Sequence, residues 1–232
     1  MLQFLRCRKE EAVSDQENKK ESKIDKNKQI KRQTLLETAF GLFTGKGFQK
    51  TSISDIVDNA GVAKGTFYLY FKDKYDIRNK LIAHKASGVF KKADAALKET
   101  DITKLEEKII FLIDNIINQF VQDKTLMRFI SKNLSWGVFK NVLIGAGGDD
   151  EVDFYDIYHS VFDGDSRYES PEVMVFMIIE LVGSTCYSAI LYNEPVGIEE
   201  LKPYIFRAVK SIMAMHRRTD DINSETFRES IK

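Results

Sequence analysis

The chain lacks most of the residues that mark specialised protein classes. It has only three prolines and two cysteines in 232 residues. Cys7 and Cys186 stand far apart, so they support neither a disulfide framework nor a zinc site, and a reducing compartment suits them best. His84, His159 and His216 are scattered without metal-ligand spacing. No G-x-S-x-G elbow, phosphate loop or HExxH sequence occurs, so an enzyme and a bound cofactor are not expected. Alternating strand patterns are missing as well. With proline so scarce, this predicts an all-α fold.

Long apolar runs are almost absent. The start, MLQFLRCRKEEAV, is too short and too charged for a secretory leader. Val173–Tyr192 nearly reaches the length of a bilayer span, but Glu180 lies near its centre, where a carboxylate costs roughly 3 kcal/mol in a membrane. No basic cluster flanks it. It is therefore read as a buried helix of a soluble, cytoplasmic protein with no membrane partner.

Net charge is also missing, since 35 Lys and Arg balance 35 Asp and Glu. The distribution is uneven, however. Residues 19–92 carry 17 basic against 7 acidic side chains, whereas residues 93–232 carry 15 against 24. A basic N-terminal third on an acidic remainder implies one part that meets phosphate and another that does not.

Apolar periodicity gives the organisation. Residues 1–26 are polar and read as a tail. A first helix follows from Lys28, with Leu35, Leu36, Ala39, Phe40 and Phe43 on one face, and ends at Gly45-Lys46-Gly47. Thr51 or Ser52 caps a second helix, whose inward face is Ile53, Ile56, Val57 and Ala60. Gly61 ends it, and Ala63–Tyr70 forms a third. A long fourth helix covers about Tyr75–Glu99. Further helices are predicted at Thr103–Gln122, Thr125–Val142, Val152–Phe162, Pro171–Tyr192 and Ile198–Arg217, about nine in all. Residues 219–232 read as a second tail.

Two short helices around a glycine turn have the spacing of a helix-turn-helix. The second presents Lys64, Gly65, Thr66, Tyr68 and Tyr70 outward, while Phe67 and Phe71 pack inward. Lys64 can reach a phosphate or a guanine edge, Gly65 allows close backbone approach, and the tyrosine hydroxyls suit phosphate oxygens. Lys74 adds a positive anchor. Ser52 and Thr66 are balanced between capping and DNA contact.

Here the chain resembles the TetR family of regulators. That family's pattern is carried in register by Gly47, Phe48, Thr51, Ser52, Ile53, Ile56, Val57, Ala60-Gly61-Val62, Lys64-Gly65-Thr66-Phe67-Tyr68, Tyr70-Phe71 and Lys74. Ala63 departs from it, standing where serine is frequent. The resemblance implies a DNA-binding domain at 27–75 and a helical effector-binding and dimerisation domain at 76–218. It also implies that Lys64, Gly65, Tyr68, Tyr70 and Lys74 touch double-stranded DNA, mainly its backbone, at a palindromic operator. The fourth helix, leaving the DNA motif at Lys74, would be the lever between the domains.

Outside that motif the residues say less. Leu201, Ile205, Ala208, Ile212 and Met215 recur at steps of four and three, and Gly183, Cys186 and Ala189 are small. A homodimer seam from these two helices is expected, the alternative being that both stripes face the chain's own core. Effector-pocket candidates are Phe111, Met127, Trp136, Phe154, Tyr158, Met177, Glu180 and Tyr187, with Phe120 among further aromatics. Such stripes are more often core than pocket, but together they make an apolar or amphipathic effector plausible. The expected function is a repressor released by that effector. The alternative is an architectural DNA-binding protein with no ligand switch.

Overall fold

The computed structural model describes residues 25–133 and 167–218. Among these there are eight α-helices and no strand. The expected segment Val152–Phe162, with the pocket candidates Trp136, Phe154 and Tyr158, lies outside the described residues. So do residues 219–232 and most of the predicted N-terminal tail.

Two compact units divide after Leu81, inside a helix. In the first unit, α1 spans 25–42 and runs into a π-helical turn, Phe43–Gly47. Asp25 and Lys26, expected in the tail, belong to α1. Gly47 takes φ 90°, the left-handed backbone that lets the chain turn. Helix α2 covers Ile53–Ala60 and α3 covers Lys64–Tyr70. Helix α4, Lys74–Lys98, begins in this unit and ends in the second. Leu35, Leu36, Ile56, Phe67, Phe71, Ile77 and Leu81 are almost wholly buried and make the small core.

Local chemistry sets the turns. Ser52 caps α2 by accepting from the Asp55 amide at 3.0 Å, while the Asp55 carboxylate accepts from the Ser52 amide at 2.7 Å. Gly61 closes α2 at φ 66°, and the Val62 amide donates to the Val57 carbonyl at 3.0 Å. That is a Schellman ending, which a residue with a Cβ adopts only under strain.

The second unit contains the remainder of α4 with α5 (Leu105–Gln122), α6 (Lys124–Asn133), α7 (Pro171–Tyr192) and α8 (Ile198–Met215). Its core joins Ile109, Ile113, Ile117, Met127, Met174, Ile178, Ile190, Val209 and Met213. Polar ties fix the packing. Buried Lys202 on α8 bridges to Asp114 at 3.0 Å and donates to the Asn118 oxygen at 2.7 Å, both on α5. Burial alone lowers the Lys202 ammonium, but its bonds to Asp114 and Glu199 outweigh that and hold it above its ordinary value. Before α7, Tyr168 pairs with Arg217 in an isolated antiparallel bridge, which sets the start of α7 beside the end of α8.

The stripe read from the sequence as a dimer seam faces inward. Ile205, Ile212, Cys186 and Ala189 are buried in the chain's own core, and Leu201 packs against it. The three-four repeat on α8 thus records packing within one chain. Ala208 is half-buried, and Met215 alone of that stripe is exposed. Burial pushes the Cys186 thiol up to about 12, which leaves it unreactive.

Candidate nucleic-acid interface and helical-unit cavity

The turn before α2 is held by a cluster of aromatic and charged groups. Phe48 packs edge-on against Phe43 and Tyr75, with ring centres 5.1 and 5.2 Å apart. Lys74 donates to the Phe48 carbonyl at 3.0 Å and lies 4.4 Å above the Phe48 ring. Arg78 stacks on the same ring at 4.8 Å. Sequence reasoning placed Lys74 on a phosphate. In the free chain its ammonium clasps the turn, where it fixes how α2 and α3 are presented.

Ser52 is likewise occupied. Its hydroxyl donates to Asp55, completing the cap. Lys46 pairs with Asp55 at 2.8 Å. That ammonium, with the Ser52 amide and hydroxyl, holds the Asp55 carboxyl well below the usual carboxylate range. Thr66 and Tyr70 are half-buried on α3.

What remains available is one face of α3. Lys64, Gly65, Tyr68 and Leu69 on α3 are exposed, as is Lys72 just past its end, beyond the extended Phe71. The four on α3 recur at three- and four-residue steps, so they share a stripe. Among the described residues the Lys64 and Lys72 ammonium groups carry no hydrogen bond or ion pair. The opposite face is pinned, because Phe67 is fully buried and stacks on Phe71 at 5.5 Å. Lys72 and Leu69 were missed from the sequence. The four-residue step from Gly65 to Leu69 was the available signal.

In the second unit a cavity of about 530 Å³ opens between helices. Helix α4 lines it with Ala86, Val89 and Phe90, α5 with Ile113, Ile116 and Phe120, and α6 with Ile130 and Ser131. Helix α7 contributes Ile179, Glu180, Val182, Gly183, Ser184, Tyr187 and Ser188. Gln119 fastens α5 to α4 by donating to the Val89 carbonyl at 3.0 Å. Of the described pocket candidates, Glu180 and Tyr187 line this space, as does Phe120. Met127 is wholly buried in the core, Phe111 is half-buried elsewhere, and Met177 is 37% exposed. Gly183, expected at a seam, lines the cavity. Phe90 and the small residues of α7 were missed, because a wall between helices has no periodicity of its own.

By length and composition α7 could cross a membrane. Here it packs against α5, α6 and α8 and presents Glu180 and Ser184 to the cavity.

A short helix with one buried and one polar, basic face, braced by a second across a glycine corner, defines the helix-turn-helix class. Residues 35–81 match the family described as bacterial regulatory proteins, tetR family. The chain is 31% identical over 101 residues to the fatty acid metabolism regulator protein of Bacillus subtilis (strain 168), covering 44% of this chain and 51% of that protein. It is 33% identical over 82 residues to a probable acrEF/envCD operon repressor of Escherichia coli (strain K12), covering 34% and 37%. The structure of the regulator FadR from Bacillus subtilis in complex with stearoyl-CoA shares the fold. Its TM-score is 0.54 at 19% identity, over 76% of this chain and 96% of that one. Residues 35–81 thus resemble the corresponding segment of tetR-family regulators. The chain spans about half the length of the curated relatives it matches first.

Proposed function

We propose that this protein is a homodimeric, non-enzymatic transcriptional repressor that reads a palindromic operator through α3 and is released by a small apolar or amphipathic effector. The observation that carries DNA binding is the exposed α3 stripe with unpaired Lys64, and unpaired Lys72 just past its end, beside a rigidly clasped turn. Two such helices, one per subunit, would enter successive major grooves roughly 34 Å apart or a multiple of it.

The cavity supports the effector. About 530 Å³ lies within the range of small-molecule sites, and the walls are mostly aliphatic and aromatic. Its polar groups are the Glu180 carboxylate and the hydroxyls of Ser131, Ser184, Ser188 and Tyr187. No cation stands among the described lining residues, so a neutral or cationic head fits this wall better than a buried anion. Helix α4 supplies part of the wall and begins at Lys74, at the clasp of the DNA motif. Movement of its Ala86–Phe90 turns is the route by which occupancy would shift α3.

The dimer uses apolar groups that remain exposed. Val173, Phe176 and Met177 on α7, with Tyr204 and Met215 on α8, are between 36% and 68% exposed. A second copy would cover them. Light scattering should show a dimer at micromolar concentration, and Phe176→Glu should yield a monomer with reduced DNA affinity.

Selection from random duplexes should enrich a palindrome. Stearoyl-CoA and a cationic amphiphile of equal chain length are then titrated against the free and operator-bound protein. A true effector binds the operator-bound form more weakly, by the same factor by which it weakens DNA binding. Equal affinity for both forms would leave an architectural DNA-binding role instead.

A further inference from the structure

Leu69 is 79% exposed, more than any other large apolar side chain among the described residues. Single exposed leucines are ordinary on protein surfaces. This one sits on a seven-residue helix, in a stripe otherwise made of Lys64, Gly65 and Tyr68, with Lys72 exposed two residues past the helix end. Its neighbour one turn earlier on the same face is Gly65.

Gly65 has no reason within the chain to be glycine. Its backbone is helical without a positive φ, and a Cβ added there would meet nothing within 4 Å. Glycine inside a helix costs roughly 0.5–1 kcal/mol relative to alanine. Helix α3 also has no side-chain cap to offset that cost. The helical Gly41, Gly88 and Gly183 are equally open, but Gly65 alone of these lies on the exposed α3 stripe, where a missing side chain lets an outside surface approach the backbone closely. Leucine side chains on a helix lean back over the preceding turn, so Leu69 forms the apolar flank of that space.

We propose that Gly65 and Leu69 together form a notch that reads the C5-methyl group of a thymine in the major groove. The proposal rests on the DNA-binding reading above and assigns part of its specificity. The flanking Lys64 and Lys72 supply the positive charge that draws a polyanion to this face. Among the four bases in a major groove, thymine alone presents a methyl group. An apolar side chain gains nothing from phosphate and little from the polar edges of the other bases. Lys64 and Lys72 thus position the helix, while Gly65 and Leu69 discriminate.

The test begins with a duplex selected by the full-length protein, in which each thymine is replaced in turn by deoxyuridine. This removes the methyl and leaves every hydrogen bond in place. Wild-type protein should lose about fourfold in affinity at one symmetry-related position per half-site, the worth of one buried methyl-sized group. Leu69→Ala should bind the thymine and uracil duplexes equally. Gly65→Ala should weaken all duplexes, with an unchanged melting temperature showing that the fold survives. Wild-type indifference to uracil at every position would overturn the notch, as would undiminished discrimination by Leu69→Ala. A selection that enriches no duplex would overturn DNA binding itself, and the notch with it.

Discussion

The two units solve opposite problems with similar helices. In the first, side chains near the turn are committed to holding backbone. Lys74 bonds the Phe48 carbonyl, Ser52 and Asp55 cap each other, and Lys46 is spent on Asp55. The result is a fixed surface with one free stripe. In the second, polar ties such as Lys202 to Asp114 and Arg217 to Glu106 hold α8 and the residues after it to α5, while α4, α5, α6 and α7 leave a cavity between them. A DNA-reading helix must hold its geometry, whereas a pocket that signals must be able to close or fill. Charged clasps serve the first need, and mostly apolar cavity walls serve the second.

The strongest way to break this contrast is to empty the first core. Phe67→Ala removes a fully buried ring and should cost about 3–5 kcal/mol. Amide exchange should then be fast across α2 and α3 while residues 105–122 stay protected. Equal loss in both regions would show that the units share one cooperative fold.

Smaller changes separate clasping from DNA contact. Ser52→Ala should cost about 1 kcal/mol of stability through loss of the cap, read as a lower urea midpoint. Lys74→Ala should also cost about 1 kcal/mol, because its site is partly exposed. In contrast, Lys64→Ala should leave stability unchanged. It should reduce the dependence of log affinity on log salt by roughly 0.9 per lysine lost. If Lys74→Ala lowered the salt slope and not the stability, its ammonium would have to be reassigned to phosphate.

The smallest effect concerns acid. Burial raises the Glu106 carboxyl, but hydrogen bonds from Tyr168 and Arg217 outweigh it and hold it below 4.5. A depressed carboxylate contributes stability that is complete above its unfolded value and is lost as pH falls through the folded one. The difference in urea midpoint between wild type and Glu106→Gln should therefore be constant from pH 7 to 5 and shrink below 4.5. Asp55→Asn should act with the same sign, starting below 3.8. Its effect should appear only in exchange from the first unit.

Legibility followed the range of the interactions involved. The capping box, the Gly61 corner and the buried Phe67 and Phe71 depend on residues a few positions apart. Period and cap chemistry located them, although Thr51 and Ser52 stayed open as the cap and the return bond from the Ser52 amide to Asp55 was not foreseen. The start of α7 at Pro171 and its end at Tyr192 were legible for the same reason. The clasp by Lys74 was not legible because its partner is the Phe48 carbonyl, which carries no side-chain signature in a sequence. The seam on α8 was misassigned because a three-four stripe looks the same whether its apolar partner is another chain or α5 and α7.

The sequence by itself thus determined the all-α class and the helix-turn-helix with its family resemblance over residues 35–81, because each is written in local spacing. Only tertiary structure decided which stripe stays exposed, which lysines are free, and that Glu180 and Tyr187 share a cavity with Phe90. Those facts depend on which faces of distant helices meet, and a helical period records that a face is apolar without recording what covers it.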